Sequence, residues 1–270
     1  MILLLSFVVI IGLALGSFLG ACVYRIPRGI SVIRPGSFCP HCQRKLGWRD
    51  LVPVVSPILN GWKCRRCGVR IPPKYTSIEI VTALALLLVV LSSDWDAGLL
   101  ARSAFVLTLI PLIWIDWEFL VIPNSVLVFG ASAVVLGKLA FRPPDLASQL
   151  TSALAALAAM MGVRLLGGVL LRKPALGMGD VKLSGFVAIQ LGFTGFLGAL
   201  WLGAIGALVY VTLAKSRSAI DSAFVISGGA ISVAQEAIPF GSFLSAASIL
   251  VLVAFERVET LLSAWLISIS

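Results

Sequence analysis

The feature that most constrains this chain is its succession of long apolar segments. The first, residues 1–24, contains no charged side chain and is long enough to cross the roughly 30 Å hydrocarbon core of a bilayer as one helix. Hydrophobic residues make up 59% of the 270 and charged residues only 12%, a balance outside the usual range of soluble domains. Because a bilayer leaves no water to satisfy exposed backbone groups, we predict an all-α polytopic membrane protein.

The breaks between the apolar segments predict about eight transmembrane helices. Residues 181–214 contain one charge and are too long for one span, so we expect two tight helices broken near Gly192–Gly195. The other spans are expected at about residues 1–24, 77–93, 99–115, 125–141, 150–171 and 240–255. In the first span, Gly12, Gly16 and Gly20 recur every four residues, which predicts a face for close helix packing.

The only substantial polar segment, residues 25–76, carries two C-x-x-C pairs, and we call it the tetracysteine module. Cys39 and Cys42 form the first pair, and Cys64 and Cys67 form the second. This spacing is typical of a zinc ribbon, in which two turns aim four sulfurs at one metal. Disulfides are the alternative. A segment this short has little hydrophobic core, so zinc would supply the folding free energy that burial cannot.

The basic residues of the chain are distributed unevenly. Eleven of the 21 Lys and Arg lie between Arg25 and Lys74. With eight helices, 16 of the 21 fall on the same side of the membrane as that segment and four on the other. The positive-inside rule then predicts a cytoplasmic tetracysteine module, which argues against disulfides. The +9 net charge is therefore assigned to cytoplasmic loops in contact with membrane lipid, and we expect no nucleic-acid partner.

Two aspartates, Asp116 and Asp180, lie at the edges of apolar segments. A carboxylate at a membrane helix end is expensive and suggests a functional site, although each one alone could be a loop residue or a helix cap. The predicted topology puts both at the cytoplasmic face, and Gly177 and Gly179 precede Asp180. Two such aspartates can share a proton, activate a water and protonate a leaving amine. Residues 77–270 are therefore predicted to form a transmembrane aspartyl protease domain.

The expected positions of the two aspartates suggest different roles. Asp116 should lie in the last turn of its helix, where the helix dipole is negative. Asp180 should lie near the start of its helix, where free backbone N–H groups favour an anion. We therefore expect Asp180 to be the ionised partner and Asp116 to hold the proton.

In these residues and motifs, the chain resembles the bacterial prepilin peptidases, the membrane aspartyl proteases of type IV pilus and type II secretion systems. The similar blocks run nearly end to end: Gly16–Leu19, Tyr24–Pro27, Ser37–Cys42, Cys64–Gly68, Tyr75 and Glu79, Ile115–Asn124, Gly177–Leu183 and Ile238–Gly241. Three departures stand out. Ser242 replaces a common proline, Asn124 stands where many members carry aspartate, and the segment 218–237 before the last block matches poorly. We expect none of them to touch the two aspartates.

The resemblance implies a prepilin or pseudopilin leader peptidase of the bacterial cytoplasmic (inner) membrane, with its active site facing the cytoplasm. Asp116 and Asp180 would be catalytic, supported by Gly177, Gly179 and Lys182. Members with the cysteine segment also methylate the new N-terminus with S-adenosylmethionine as methyl donor. The chain has no Rossmann-type G-x-G-x-x-G fingerprint, so methyl transfer is implied by the resemblance alone.

Alternatives stay open at this point. A presenilin-type intramembrane aspartyl protease shares the aspartate chemistry, and a zinc-ribbon membrane assembly factor would need no enzymatic activity. Glu79 at the start of the second helix could bind the basic leader of a substrate, orient another cation or cap its helix. Lys182 could hold a carboxylate or a lipid phosphate.

Overall fold

The structure, a computed structural model, describes residues 2–93, 98–139, 146–172, 176–224 and 238–269. Within these ranges the fold is all helical, and the only β contacts are two isolated bridges in the tetracysteine module. The helices are α1 Ile2–Arg25, α2 Val55–Leu59, α3 Lys74–Ser92, α4 Leu99–Phe119, α5 Asn124–Leu139, α6 Leu146–Leu171, α7 Met178–Phe224 and α8 Phe240–Ile269. The predicted all-α class is confirmed.

Five of the described helices are long and apolar enough to cross a membrane, which makes this a multi-pass membrane protein. The spans are Ile2–Arg28, Lys74–Ser92, Leu99–Phe119, Ala147–Leu170 and Met178–Ala214, and Asn124–Leu139 and Phe240–Ala254 are shorter apolar helices. Large apolar side chains such as Phe129 and Leu170 point outward, as lipid contact requires. Arg142 and Lys173, two of the basic residues whose distribution predicts the orientation in the membrane, lie outside the described residues.

The long helix α7 is broken at Gly192, as predicted, and the chain reverses there. Gly192 has φ 71° and ψ 176°, which is not a helical conformation. Asp180 and Tyr210 would be about 45 Å apart in a straight helix. Both instead lie at the same end of α4, where Asp180 interacts electrostatically with Asp116 and the Tyr210 ring is 5.3 Å from the Trp117 ring. When α7 is counted as two segments, the described residues contain the predicted eight apolar helices.

The centre of the bundle is α4, which packs against α3, α5 and α8. Its inward side chains include Phe105, Leu109 and Ile115, all fully buried. On α1, a Cβ at Gly12 or Gly16 would come within 2.6 Å of a backbone Cα of α3, so these glycines permit the predicted close packing. The helix α4 continues past Asp116 to Phe119, so the break before Pro123 is shorter than predicted.

The tetracysteine module lies between the end of α1 and the start of α3. Apart from the five-residue helix α2 and two short 3₁₀ turns it has no regular helix, as its prolines predict. Arg25, buried at the end of α1, donates to the carbonyl oxygens of Ser31, Val32 and Gly36, the last at 2.9 Å. This guanidinium therefore links the first segment of the module to the membrane helix.

Candidate active site and metal site

Asp116 lies in the last turn of α4 and is 5% exposed. The helix ends just beyond it because Leu120 adopts the left-handed conformation, with φ 55°. The Asp116 Oδ2 atom accepts the Ser242 backbone N–H at 2.7 Å and lies 3.1 Å from the Ser242 hydroxyl. Ser242 is in the first turn of α8, so Asp116 meets the start of another helix. The same N–H also lies 3.1 Å from the Pro239 carbonyl oxygen, a longer contact than the one with Asp116.

The Ser242 hydroxyl has one proton and two acceptors in reach. It lies 2.8 Å from the Ile113 carbonyl oxygen and 3.1 Å from Asp116 Oδ2. The backbone N–H has the shorter contact with Asp116 and is the more constant donor. This donor comes from a residue 126 positions away in the chain, and no local pattern around Asp116 indicates it.

Asp180 lies in the first turn of α7, as predicted, directly after the two glycines. Its carboxyl group interacts electrostatically with that of Asp116, so the structure brings the two aspartates together. A Cβ at Gly177 would lie 3.0 Å from Asp180 Oδ2. The absence of a side chain at Gly177 therefore leaves the Asp180 carboxyl group its space.

The side chain of Ile122 lies between the start of α7 and the start of α8. A Cβ at Gly179 would lie 2.9 Å from Ile122 Cβ, and a Cβ at Gly241 would lie 2.7 Å from Ile122 Cδ1 and 3.1 Å from Asp116 Oδ2. Neither contact leaves room for a larger residue. Gly241 and Ile122 thus belong to the site, although the sequence analysis did not name either as a site residue. The similar blocks Ile238–Gly241 and Ile115–Asn124 were the available signals for them.

The expectation that Ser242 would not touch the aspartates is wrong. It is the residue that contacts Asp116 through both its backbone and its side chain. The sequence placed a helix start beside Asp180 only, whereas the structure places one beside each aspartate. The expected contrast between the two environments is therefore absent, because Asp116 also has donors that favour an anion.

Lys182 and Glu79, the two other charged residues singled out in the sequence, contact groups other than the two aspartates. Lys182 Nζ donates to Asn124 Oδ1 at 2.9 Å, which joins the start of α7 to the start of α5. Glu79 is 6% exposed, and its Oε2 accepts the Val54 N–H at 2.8 Å. Glu79 therefore joins α3 to the tetracysteine module and does not cap its own helix.

The four cysteines of the module meet as predicted. Their Sγ atoms all lie within 4.8 Å of one another, with Cys39 to Cys67 at 3.9 Å and Cys42 to Cys64 at 4.0 Å, and all four are free thiols. A tetrahedral zinc with Zn–S distances of about 2.3 Å requires sulfurs about 3.8 Å apart. The cluster therefore has the ligands and the approximate spacing of a zinc site.

Each cysteine pair lies in a tight turn. The N–H of Gln43 bonds the Cys39 carbonyl, and the N–H of Gly68 bonds the Cys64 carbonyl, both at 2.9 Å. The backbone N–H groups of Cys67 and Arg66 point at the Cys64 sulfur and lower the pKa of that thiol to about 6. This turn therefore favours one thiolate, at Cys64.

Comparisons with known proteins cover most of the chain. Residues 10–93 match the family model described as Bacterial Peptidase A24 N-terminal domain, and residues 103–213 match the Type IV leader peptidase family. The Prepilin leader peptidase/N-methyltransferase of Bacillus subtilis (strain 168) is 32% identical over 235 residues, covering 84% of this chain and 92% of that protein. No solved structure matches the chain.

Two further relatives agree. The Type 4 prepilin-like proteins leader peptide-processing enzyme of Escherichia coli O78:H11 is 31% identical over 76% of this chain and 83% of that protein. The Prepilin leader peptidase/N-methyltransferase of Myxococcus xanthus (strain DK1622) is 30% identical over 77% of this chain. The match spans 62% of the Myxococcus protein's length.

Proposed function

Because the chain belongs to the type IV leader peptidase family, we propose that it removes the leader from prepilins or pseudopilins and methylates the new N-terminus. The observation that carries the cleavage proposal is the meeting of Asp116 and Asp180, which lie 64 residues apart in sequence. Two carboxyl groups that share a site can divide the acid and base roles of peptide hydrolysis between them.

The proposed setting is the bacterial inner membrane, with the site at its cytoplasmic face. The support is the charge bias, since the basic tetracysteine module adjoins the helix ends that carry the aspartates. Arg28 of the module lies 5.0 Å from the ring of Phe119, three residues beyond Asp116. A prepilin has a basic leader before an apolar helix, and this interface is where such a junction would lie.

In the proposed mechanism Asp116 is the base. The Ser242 donors favour its carboxylate form, so Asp116 takes a proton from the attacking water as the water oxygen bonds to the scissile carbonyl carbon. Asp180 gives its proton to the carbonyl oxygen. The amine nitrogen then takes the proton from Asp116 as the C–N bond breaks, and the re-forming carbonyl returns the other proton to Asp180. This assignment reverses the one expected from the sequence.

Zinc, held by Cys39, Cys42, Cys64 and Cys67, would serve a structural role and supply folding free energy to the module. A four-cysteine site leaves zinc no open position for a water or a substrate, so the catalytic groups are assigned to the aspartates. S-adenosylmethionine supplies the methyl group in the proposed second reaction.

The two rival functions are less well supported. A presenilin-type protease would not need a tetracysteine module, and residues 10–93 of this chain match a family domain that spans it. A non-enzymatic assembly factor would gain nothing from a buried Asp116 carboxyl group that interacts electrostatically with Asp180, an arrangement that costs stability.

The direct test is to incubate the purified protein, reconstituted in lipid nanodiscs, with a purified prepilin and S-adenosylmethionine. Mass spectrometry of the product reports leader loss and methyl gain as separate mass changes. We expect both with the wild-type protein and neither with buffer alone. An intact prepilin after prolonged incubation would refute the peptidase proposal, and a cleaved but unmethylated product would refute its second half.

A further inference from the structure

A cavity of about 480 Å³ lies where the tetracysteine module covers the ends of α1 and α3. It is mostly apolar, and its volume is in the range of small-molecule sites in proteins. Tyr24 and Tyr75 line it from the membrane helices and Phe38 from the module. Planar aromatic faces of this kind stack on heterocyclic rings.

A buried carboxyl group, that of Glu79, lines the same cavity. It accepts the Val54 N–H, and the Ser17 hydroxyl lies beside it. Within the described ranges no Lys or Arg forms an ion pair with Glu79, since the three ion pairs there involve Asp50 and Glu118. A buried carboxylate without a cation is costly, so this site favours a ligand that brings a positive charge.

Seven Lys and Arg residues line the cavity. Arg44 and Arg65 pair with Asp50, and Lys74 pairs with Glu118. Arg25 and Arg28 have other partners. Arg25 donates to carbonyl oxygens of the module and lies over the Phe38 ring. Arg28 donates to the Tyr24 carbonyl at 2.8 Å and lies 4.2 Å from the centre of the Tyr24 ring. Both cations are thus committed elsewhere, and Glu79 remains available to a ligand.

We propose that this cavity binds S-adenosylmethionine, with Glu79 receiving the positively charged methionine portion and the aromatic side chains receiving the adenosine. S-adenosylmethionine is a nucleoside with a positively charged side chain. It therefore matches both the aromatic lining of the cavity and its buried carboxyl group. The inference rests on the methyltransferase half of the proposed function and assigns its donor site.

The position of the cavity suits transfer to a freshly cleaved amine. Lys74 and Arg28, which line the cavity, contact Glu118 and Phe119 in the last turn of α4. Asp116 lies in the same turn. The donor site therefore adjoins the end of the helix that carries one of the two aspartates.

The test is direct binding of labelled S-adenosylmethionine to the full-length protein in nanodiscs, measured by equilibrium dialysis without substrate. Glu79→Gln should weaken binding at least thirtyfold, because removing one partner of a buried charge pair leaves the other uncompensated. Glu118→Gln is the matched control: it removes a carboxylate from the exposed pair with Lys74 and should bind within about twofold of wild type. Zinc content and thermal unfolding establish that each variant is folded.

A second measurement uses only the wild-type protein and does not depend on the folding of a variant. Ultraviolet crosslinking of the labelled donor, followed by peptide mapping, should label peptides between residues 17 and 79. Label confined to peptides of α4 to α8, or equal affinity of folded Glu79→Gln and wild type, would overturn the assignment while leaving the proposed function intact. Failure of the wild-type protein both to bind the donor and to methylate would instead refute the methyltransferase proposal itself.

Discussion

The cysteine cluster and the aspartate site are built in opposite ways. The cluster takes its four sulfurs from two short turns, and each turn closes on itself through bonds such as Gln43 N–H to the Cys39 carbonyl. The aspartate site draws on the ends of α4, α7 and α8, and its closest bond joins residues 126 positions apart. The spacing of residues in the sequence predicts a site that is assembled from local turns. For a site assembled from distant helices, the sequence indicates only the charged residues.

The two sites also differ in what holds them in place. Around the cluster, large side chains such as Ile33, Trp48 and Leu59 are exposed, so the module has little buried apolar surface. Around the aspartates, Ile115 and Val181 are buried. We therefore expect the module to depend on metal and the aspartate site to depend on helix packing. Variants that remove the metal ligands but leave the helix packing intact, or the reverse, test this difference.

The largest effect is expected at the aspartates. Asp116→Asn and Asp180→Asn should each lower the rate of leader cleavage by roughly a thousandfold or more, because asparagine can neither accept nor deliver the required proton. The measurement is cleavage of a purified prepilin followed over time by mass spectrometry. Glu118→Gln, two residues beyond Asp116 and exposed, is the control and should cleave at close to the wild-type rate. Wild-type processing by either asparagine variant would remove that residue from the mechanism.

The second effect is expected at the metal. A Cys39→Ser, Cys64→Ser double variant should lose its zinc, since the remaining two sulfurs cannot complete the tetrahedron. Metal analysis checks the stoichiometry, and limited proteolysis should show faster cutting within residues 26–73. Methylation should fall more than cleavage, because the module forms a wall of the donor cavity and the aspartates lie outside it.

The control for the metal experiment is Cys22→Ala. Cys22 is the fifth free cysteine, and it is buried in α1 away from the cluster. This variant should retain one zinc per chain. Unchanged zinc content in the double variant would place the metal elsewhere and contradict the proposed metal dependence of the module.

Much of this architecture could be predicted from the sequence. The length of the apolar segments indicated the helices. Gly192 indicated the reversal in α7, and the C-x-x-C pairs indicated the cysteine cluster. Ile122, Gly241 and Ser242 were missed as members of the aspartate site because none is unusual in its own segment. A serine in an apolar run has no evident partner until α8 packs on α4. The same long-range packing is the basis on which we propose the opposite roles for the aspartates, since the helix start beside Asp116 belongs to α8.

The third prediction tests whether packing alone aligns the aspartates. Gly241→Ala and Gly179→Ala should each cost about 1–3 kcal/mol, through overlap with Ile122. Thermal unfolding and cleavage rate measure the loss. Ile122→Val should restore much of the Gly241→Ala loss, because the 2.7 Å contact is with the Cδ1 atom that valine lacks. It should not restore Gly179→Ala, whose 2.9 Å contact is with the Cβ atom that valine keeps. Equal rescue of both would contradict this geometry.

The smallest effect is expected at Ser242, which contacts no substrate in the proposed mechanism and acts by positioning Asp116. Ser242→Ala removes the hydroxyl, which is shared with the Ile113 carbonyl, and keeps the 2.7 Å N–H bond, so kcat should fall only about threefold. Ser242→Pro removes both donors in a helix turn that tolerates proline, and kcat should fall about tenfold. KM should stay constant in both, since the loss concerns only the base.

The matched control for Ser242 is Ser245→Ala, one turn further along α8. The Ser245 hydroxyl is buried and has no hydrogen-bond partner among the described residues, so its removal should leave kcat unchanged and stability equal or slightly higher. If Ser242→Pro cleaves at the wild-type rate, the Ser242 bonds to Asp116 do not matter for catalysis. The assignment of Asp116 as the base would then lose its support, while the pairing of the two aspartates would stand on the first prediction alone.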